Sequence, residues 1–147
     1  MPFNEISAAV NGIKPIPHRL ELIYNKQSNI TVIDDSYNGN INGIISGLEV
    51  LGRAEGRKIV LTPGLVELGD QSKNIHSMIG ELYAKNVDLV LLIKNSATEY
   101  IVENFNKNNF ENYKIYDNVK EAHNDLKNIL KSGDTIIFQN DWPDNYL

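Results

Sequence analysis

Thr31-Val-Ile-Asp-Asp-Ser-Tyr-Asn-Gly-Asn-Ile41 joins an apolar run to a helical pattern through a polar turn. Ile30, Val32 and Ile33 make the run a buried strand, and it ends on paired carboxylates, Asp34 and Asp35. Ligands of open α/β sheets bind just beyond the carboxyl ends of strands, which places chemistry at this turn. Asn40 is a helix cap, and the free N–H groups behind it favour an anion. Carboxylates beside such a site suit hydroxyls or a metal better than phosphate.

Downstream, Ile41, Ile44, Ile45, Leu48 and Leu51 share one helical face, up to Glu55-Gly56-Arg57. Gly43 and Gly47, four apart, lower helix propensity and predict close packing on backbone or ligand. Apolar strands follow at residues 58–62, 88–93, 113–116 and 135–138, with helical spacing between them. Ser96 with Glu99, and Asn118 with Glu121, are capping-box patterns that open two of those helices.

Upstream, Phe3, Ile6, Ala9 and Val10 have helical spacing before Gly12, and Pro15 and Pro17 force an extended path. The segment from Leu20 to Ile23 pairs with the strand at 30–34 through the turn at 25–29, giving a hairpin. A hairpin and four helix–strand alternations predict an α/β fold. The expected architecture is a Rossmann-like three-layer domain, its mostly parallel sheet carrying an antiparallel N-terminal hairpin strand.

The whole chain, 147 residues, suffices for one domain with a proper core. Its net charge of −5 argues against a protein that wraps nucleic acid. No apolar run reaches the roughly 20 residues of a membrane span, so no membrane insertion is expected. No secretory leader is evident at the N-terminus, and a cytoplasmic location is the expectation. The absence of cysteine excludes disulfides, thiolate metal sites and thiol catalysis.

No GxGxxG follows the first strand, and GxxxxGK[ST] is absent throughout. A phospho-receiver also carries an acidic pair, but it needs an Asp ending a middle strand and a Lys ending the last. Thr62-Pro63 and Phe138-Gln139 stand there instead. Asp34 and Asp35 are then turn carboxylates in solvent, metal ligands, or acceptors for sugar hydroxyls. Arg19, before the hairpin, is solvated or meets a phosphate bidentately. Glu67, in a Gly-flanked loop after a strand end, is a further active-face carboxylate. His18, His76 and His123 lack ligand spacing, so no metal site is expected. Trp142 and Tyr146 form either an apolar latch or a ligand wall.

PIPHRLELI, VIDDSYNGNINGIISGLEVL and GRKIVLTPGLVELG, in that order, resemble the C-terminal domain of the Mur ligases. The resemblance runs from about residue 13 onward, with the DDSYNxN turn its most specific piece. It implies residues 1–14 as a linker or helix from a preceding domain and 15–147 as the substrate-binding Rossmann-like domain. Such ligases use ATP and Mg2+, held mainly by a central domain, to activate a carboxylate as an acyl phosphate in peptidoglycan precursor synthesis. An amino acid or D-dipeptide, D-alanyl-D-alanine in one branch, is then joined to a UDP-MurNAc-peptide.

By position, the resemblance implies Arg19 on the nucleotide phosphates and Asp35 on the ribose. It implies Asn38 and Asn40 on the turn that faces the active cleft. With Asp34 and Glu67, read from the strand ends, they are the expected substrate-side residues, and no certain catalytic residue is expected in this domain. Three departures affect the choice of amine: Ile41 replaces the usual proline, Pro63-Gly64 enters the loop before Glu67, and FQNDWPDNY replaces the usual KGSR. The chain alone is expected to be inactive, because the phosphate loop belongs to the central domain. The alternative is a free-standing Rossmann-like binding or adaptor module. A folate polyglutamate synthase would show a His-Asn-Pro turn where Tyr37-Asn38-Gly39 stands.

Overall fold

The computed structural model describes residues 2–14, 16–37 and 39–139. Helix α1 (Phe3–Asn11) precedes a hairpin of β1 (Glu21–Asn25) and β2 (Ile30–Asp35). Asn25 closes the hairpin turn, its side-chain oxygen accepting from the amides of Gln27 and Ser28 at 3.0 and 3.2 Å. This satisfies turn amides that no strand partner reaches. The pairing is antiparallel, with Glu21 opposite Asp34 and Asn25 opposite Ile30.

Four helix–strand units follow: α2 (Ile41–Leu51) and β3 (Lys58–Thr62), α3 (Ser72–Asn86) and β4 (Leu89–Ile93), α4 (Thr98–Lys107) and β5 (Tyr113–Tyr116), α5 (Val119–Ile129) and β6 (Thr135–Gln139). The sheet order is β1-β2-β6-β3-β4-β5, and every pair except β1–β2 is parallel. The mixed α/β architecture is the expected one.

Strand order explains how the helices divide between faces. The connections through α2, α3 and α4 run one way across the sheet, and α5 runs back to insert β6. Right-handed crossovers put opposite directions on opposite faces. Accordingly Ile33, Val60, Val90, Leu92 and Ile137 pack with buried residues of α2, α3 and α4, among them Leu51, Tyr83 and Phe105. Ile59, Leu61, Leu91, Ile93 and Ile136 pack against Ala122 and Ile129 of α5. Central strands covered on both faces read as unbroken apolar runs.

Two local expectations are corrected. The first helix of the alternation closes at Leu51, where Gly52 N–H donates to the Leu48 carbonyl at 2.8 Å and Arg53 and Ala54 add i→i+3 bonds. Ser96 does not cap α4. Asn95 accepts from the Ala97 amide at 2.9 Å, and the Thr98 hydroxyl accepts from the Asn95 amide at 2.9 Å, so the neighbours form the turn. Asn118 does cap α5, accepting from the Glu121 amide at 3.0 Å while its side-chain N–H donates to the Glu121 carboxylate at 2.9 Å.

Candidate functional site

The parallel strands bring their carboxyl ends to one rim. Register sets Asp35 of β2 opposite Gln139 of β6, and Leu61 of β3 opposite Phe138, so the rim runs Asp35, Gln139, Thr62 and on to the end of β4. Asn40 opens α2 at the same end, its side chain accepting from the Gly43 amide at 2.9 Å.

At this rim the segment before β1 folds onto the turn after β2. The Asp34 carboxylate accepts from His18 Nδ1 at 2.8 Å through one oxygen. Its other oxygen accepts from the Ser36 amide at 3.1 Å and hydroxyl at 2.6 Å. Asp35 accepts from the Leu20 amide at 3.3 Å, and the His18 carbonyl accepts from the Tyr37 amide at 3.3 Å. Between them the Arg19 guanidinium lies over the Tyr37 ring, 4.6 Å from its centroid. Such a stack leaves the planar fork of N–H donors at the ring's edge available to an anion.

The two carboxylates differ in character. Burial pushes Asp34 up, but bonds from Ser36 and His18 outweigh it and leave its acidity stronger than usual. Burial dominates at Asp35, which stays above the ordinary carboxylate range despite the Leu20 amide and the charge of Arg19. A carboxylate so raised holds less tightly to its charge and is suited to accept hydrogen bonds from neutral hydroxyls.

Arg19, Asp34 and Asp35 are thus brought together, with Asn40 starting the adjacent helix. Glu67 is on the loop after β3, in a left-handed conformation with φ 60°. That loop is tethered at its base: the Gly64 amide donates to the Thr62 hydroxyl at 2.9 Å, and Asn95 donates to the Pro63 carbonyl at 2.6 Å. The Leu65 amide donates to Nε2 of the buried His76 at 3.0 Å. Asn38, Trp142 and Tyr146 lie outside the described residues. Among the described residues no three His, Asp or Glu side chains converge as a metal site.

Sequence reasoning missed a buried bridge beneath this rim. The Tyr83 hydroxyl donates to the Gln139 side-chain oxygen at 3.0 Å, and the Gln139 amide donates to the Ile44 carbonyl at 3.3 Å. This ties α2, α3 and the end of β6 together. A depression of about 550 Å³ bounded by Glu55, Arg57, Lys58 and Asp88 lies at the amino ends of β3 and β4, the opposite edge. Its Arg57 is already committed to Asp134 at 2.6 Å and to the Ile129 carbonyl at 2.7 Å.

Residues 18–139, which hold the whole of this rim, match the family described as Mur ligase, glutamate ligase domain. The chain belongs to this Mur ligase family. This Mur ligase domain is 32% identical over 131 residues to the UDP-N-acetylmuramoyl-tripeptide–D-alanyl-D-alanine ligase of Buchnera aphidicola subsp. Acyrthosiphon pisum, covering 88% of this chain and 27% of that protein. It is also 32% identical over 119 residues to the UDP-N-acetylmuramoylalanine–D-glutamate ligase of Trichodesmium erythraeum, covering 80% and 23%. Its fold matches the MurF ligase of Thermotoga maritima, solved in complex with ADP, with TM-score 0.74 and 24% identity over 88% of this chain and 29% of that one. The domain thus spans about a quarter of the length of these curated relatives.

Proposed function

We propose that this chain acts as the C-terminal domain of an ATP-dependent amide-bond ligase in peptidoglycan precursor synthesis. It closes over a nucleotide and a UDP-MurNAc-peptide held by the rest of the enzyme and receives D-alanyl-D-alanine or a related amine. The observation that carries this reading is Arg19, held at the carboxyl rim beside Asp35, within the span that matches the family.

In the proposed reaction the peptide carboxylate attacks the γ-phosphorus of ATP, releasing ADP and forming an acyl phosphate. The amine then attacks the acyl carbon, phosphate leaves with the electron pair of the broken C–O bond, and the amine gives up its proton. Mg2+, held outside this domain, supplies charge neutralisation on the phosphates. Phosphoryl transfer of this kind depends on positioning and on opposing the developing charge. Arg19 provides a bidentate cation for the phosphates, and Asp35 an acceptor for the ribose hydroxyls. Asp34, Asn38, Asn40 and Glu67 belong to the substrate side in this reading.

The test is ATP- and Mg2+-dependent phosphate release with UDP-muramoyl tripeptide and a panel of amino acids and D-dipeptides. It is run on this chain alone and on the natural reading frame with whatever precedes it. Activity only in the longer form, selective for D-alanyl-D-alanine, is the expected result. Selectivity for another amine keeps the ligase and reassigns its substrate. Absence of turnover in the longer, folded form overturns the ligase reading in favour of a binding or adaptor module.

A further inference from the structure

Arg19 sits between two residues in the left-handed region, His18 with φ 61° and Leu20 with φ 50°. Neither is glycine; histidine visits this region more readily than most side chains, as Asn and Asp do, but leucine does not. Non-glycine residues in such conformations persist only where the surroundings over-determine them, and they gather at ligand clamps and active sites. Here the surroundings are the carboxylate pair. Asp34 holds the His18 ring at 2.8 Å, and Asp35 holds the Leu20 amide at 3.3 Å, so each strained residue has its own acidic strut. The Glu21 carboxylate accepts from the His18 amide at 3.4 Å, and the Arg19 amide donates to the Ile16 carbonyl at 3.2 Å.

Asp34 has both oxygens committed within the chain, one to His18 and one to Ser36. Its geometry is that of a brace. We infer that His18 and Asp34 form a positioning pair that fixes the bend on which Arg19 is carried, keeping its guanidinium stacked on Tyr37 at the rim. The inference rests on the ligase reading for what Arg19 meets, but not for the bracing itself. His18 touches no reacting group in this account. It acts through Arg19, and Asp34 moves from the substrate side to the support of the phosphate contact.

The bracing is read on this chain directly by NMR. Stacking on Tyr37 displaces the Arg19 Nε–H resonance through the ring current, and Tyr37→Leu supplies the unstacked reference. His18→Gly removes the ring while permitting the left-handed backbone, and Asp34→Ala removes its acceptor. Both are expected to move Arg19 to the unstacked position with the remaining amide spectrum retained, and the double variant to add nothing further. His18→Asn keeps a side-chain N–H donor and a residue tolerant of positive φ, and is expected to restore the stack. An Arg19 resonance unchanged in both His18→Gly and Asp34→Ala overturns the inference.

In the longer enzyme the same two variants are expected to lower kcat/KM for ATP roughly tenfold, with His18→Asn close to the parent. If the longer enzyme shows no ligase turnover at all, the functional reading fails, and the resonance of Arg19 still decides the pair.

Discussion

His76 accepts the Leu65 amide through Nε2 at 3.0 Å, while its other ring nitrogen donates to the Ser72 carbonyl at 2.7 Å. The network therefore assigns a neutral Nδ1–H tautomer. Protonation would turn Nε2 into a second donor facing a donor, with no room to turn away inside a fully buried site. Burial holds the imidazole below its ordinary titration range, against the bond to the Ser72 carbonyl.

Because the unfolded chain binds that proton more readily, this histidine contributes stability that is fully present above the unfolded value of about 6.5. The contribution is lost as pH falls from there toward the folded value. Chemical denaturation is expected to lose up to about 1.4 kcal/mol per pH unit through this window. In His76→Gln, whose side-chain oxygen can still accept the Leu65 amide, that part of the slope should vanish.

Gly47 and Gly43 are expected to respond to alanine with opposite signs. A Cβ on Gly47 would run into the Gln139 side-chain amide and meet Ile137 Cδ1 at 2.9 Å. A Cβ on Gly43 finds only the Asn40 side-chain oxygen, at 3.8 Å. Gly47→Ala should cost about 1–3 kcal/mol by overpacking, and Gly43→Ala should gain about 0.5–1 kcal/mol in helix propensity. Thermal melts of the two variants check both.

The ion pair of Arg57 with Asp134 stands at the opposite edge of the sheet, with contacts of 3.1 and 2.6 Å. Asp134 also accepts from the Lys131 amide at 2.7 Å. Burial raises Asp134, but Arg57 and Lys131 more than offset it and hold its carboxyl below the ordinary range. Stability from this group is therefore present above the unfolded pKa of about 3.9 and is lost as pH falls through the lower folded value. Asp134→Ala leaves a partly buried guanidinium without its partner, and a loss of about 2–3 kcal/mol is expected by denaturant titration.

Arg19→Ala in the longer enzyme should reduce kcat/KM for ATP on the order of a hundredfold or more while leaving the melting temperature of this chain unchanged. Arg19→Lys should recover only part, since an ammonium cannot reproduce the bidentate fork or the stack on Tyr37. An equally active lysine variant would remove the geometric argument and leave only charge.

Much of the fold was legible because periodicity and punctuation agree. The strands at 58–62 and 135–138 are short apolar runs closed by Gly, Pro or polar residues, and Asn118 with Glu121 marks its helix through a four-residue bond. Asn95 and Thr98 displaced Ser96 as the turn-former because several small polar residues competed within one loop. At the site, the carboxylates and Arg19 were visible as types placed at strand ends. The bracing of His18 by Asp34 was not, because it spans sixteen positions and depends on a left-handed backbone that no spacing reports. The Tyr83–Gln139 bridge was hidden for the same reason, its partners being 56 positions apart.

The place of β6 bears on how the molecule is made. It is the last of the described strands in sequence, yet it lies between β2 and β3 and is the only described strand that joins the hairpin to the rest of the sheet. A chain emerging from the ribosome can assemble β3, β4 and β5 with their helices while β1 and β2 wait unattached. Residues near 31–35 meet residues 135–139 only after everything between has been synthesised, a closure of long sequence separation that slows folding. The hairpin that carries Arg19, Asp34 and Asp35 therefore meets the rest of the rim late, so a nascent chain stalled before residue 135 would hold those three residues apart from Gln139 and the end of β3.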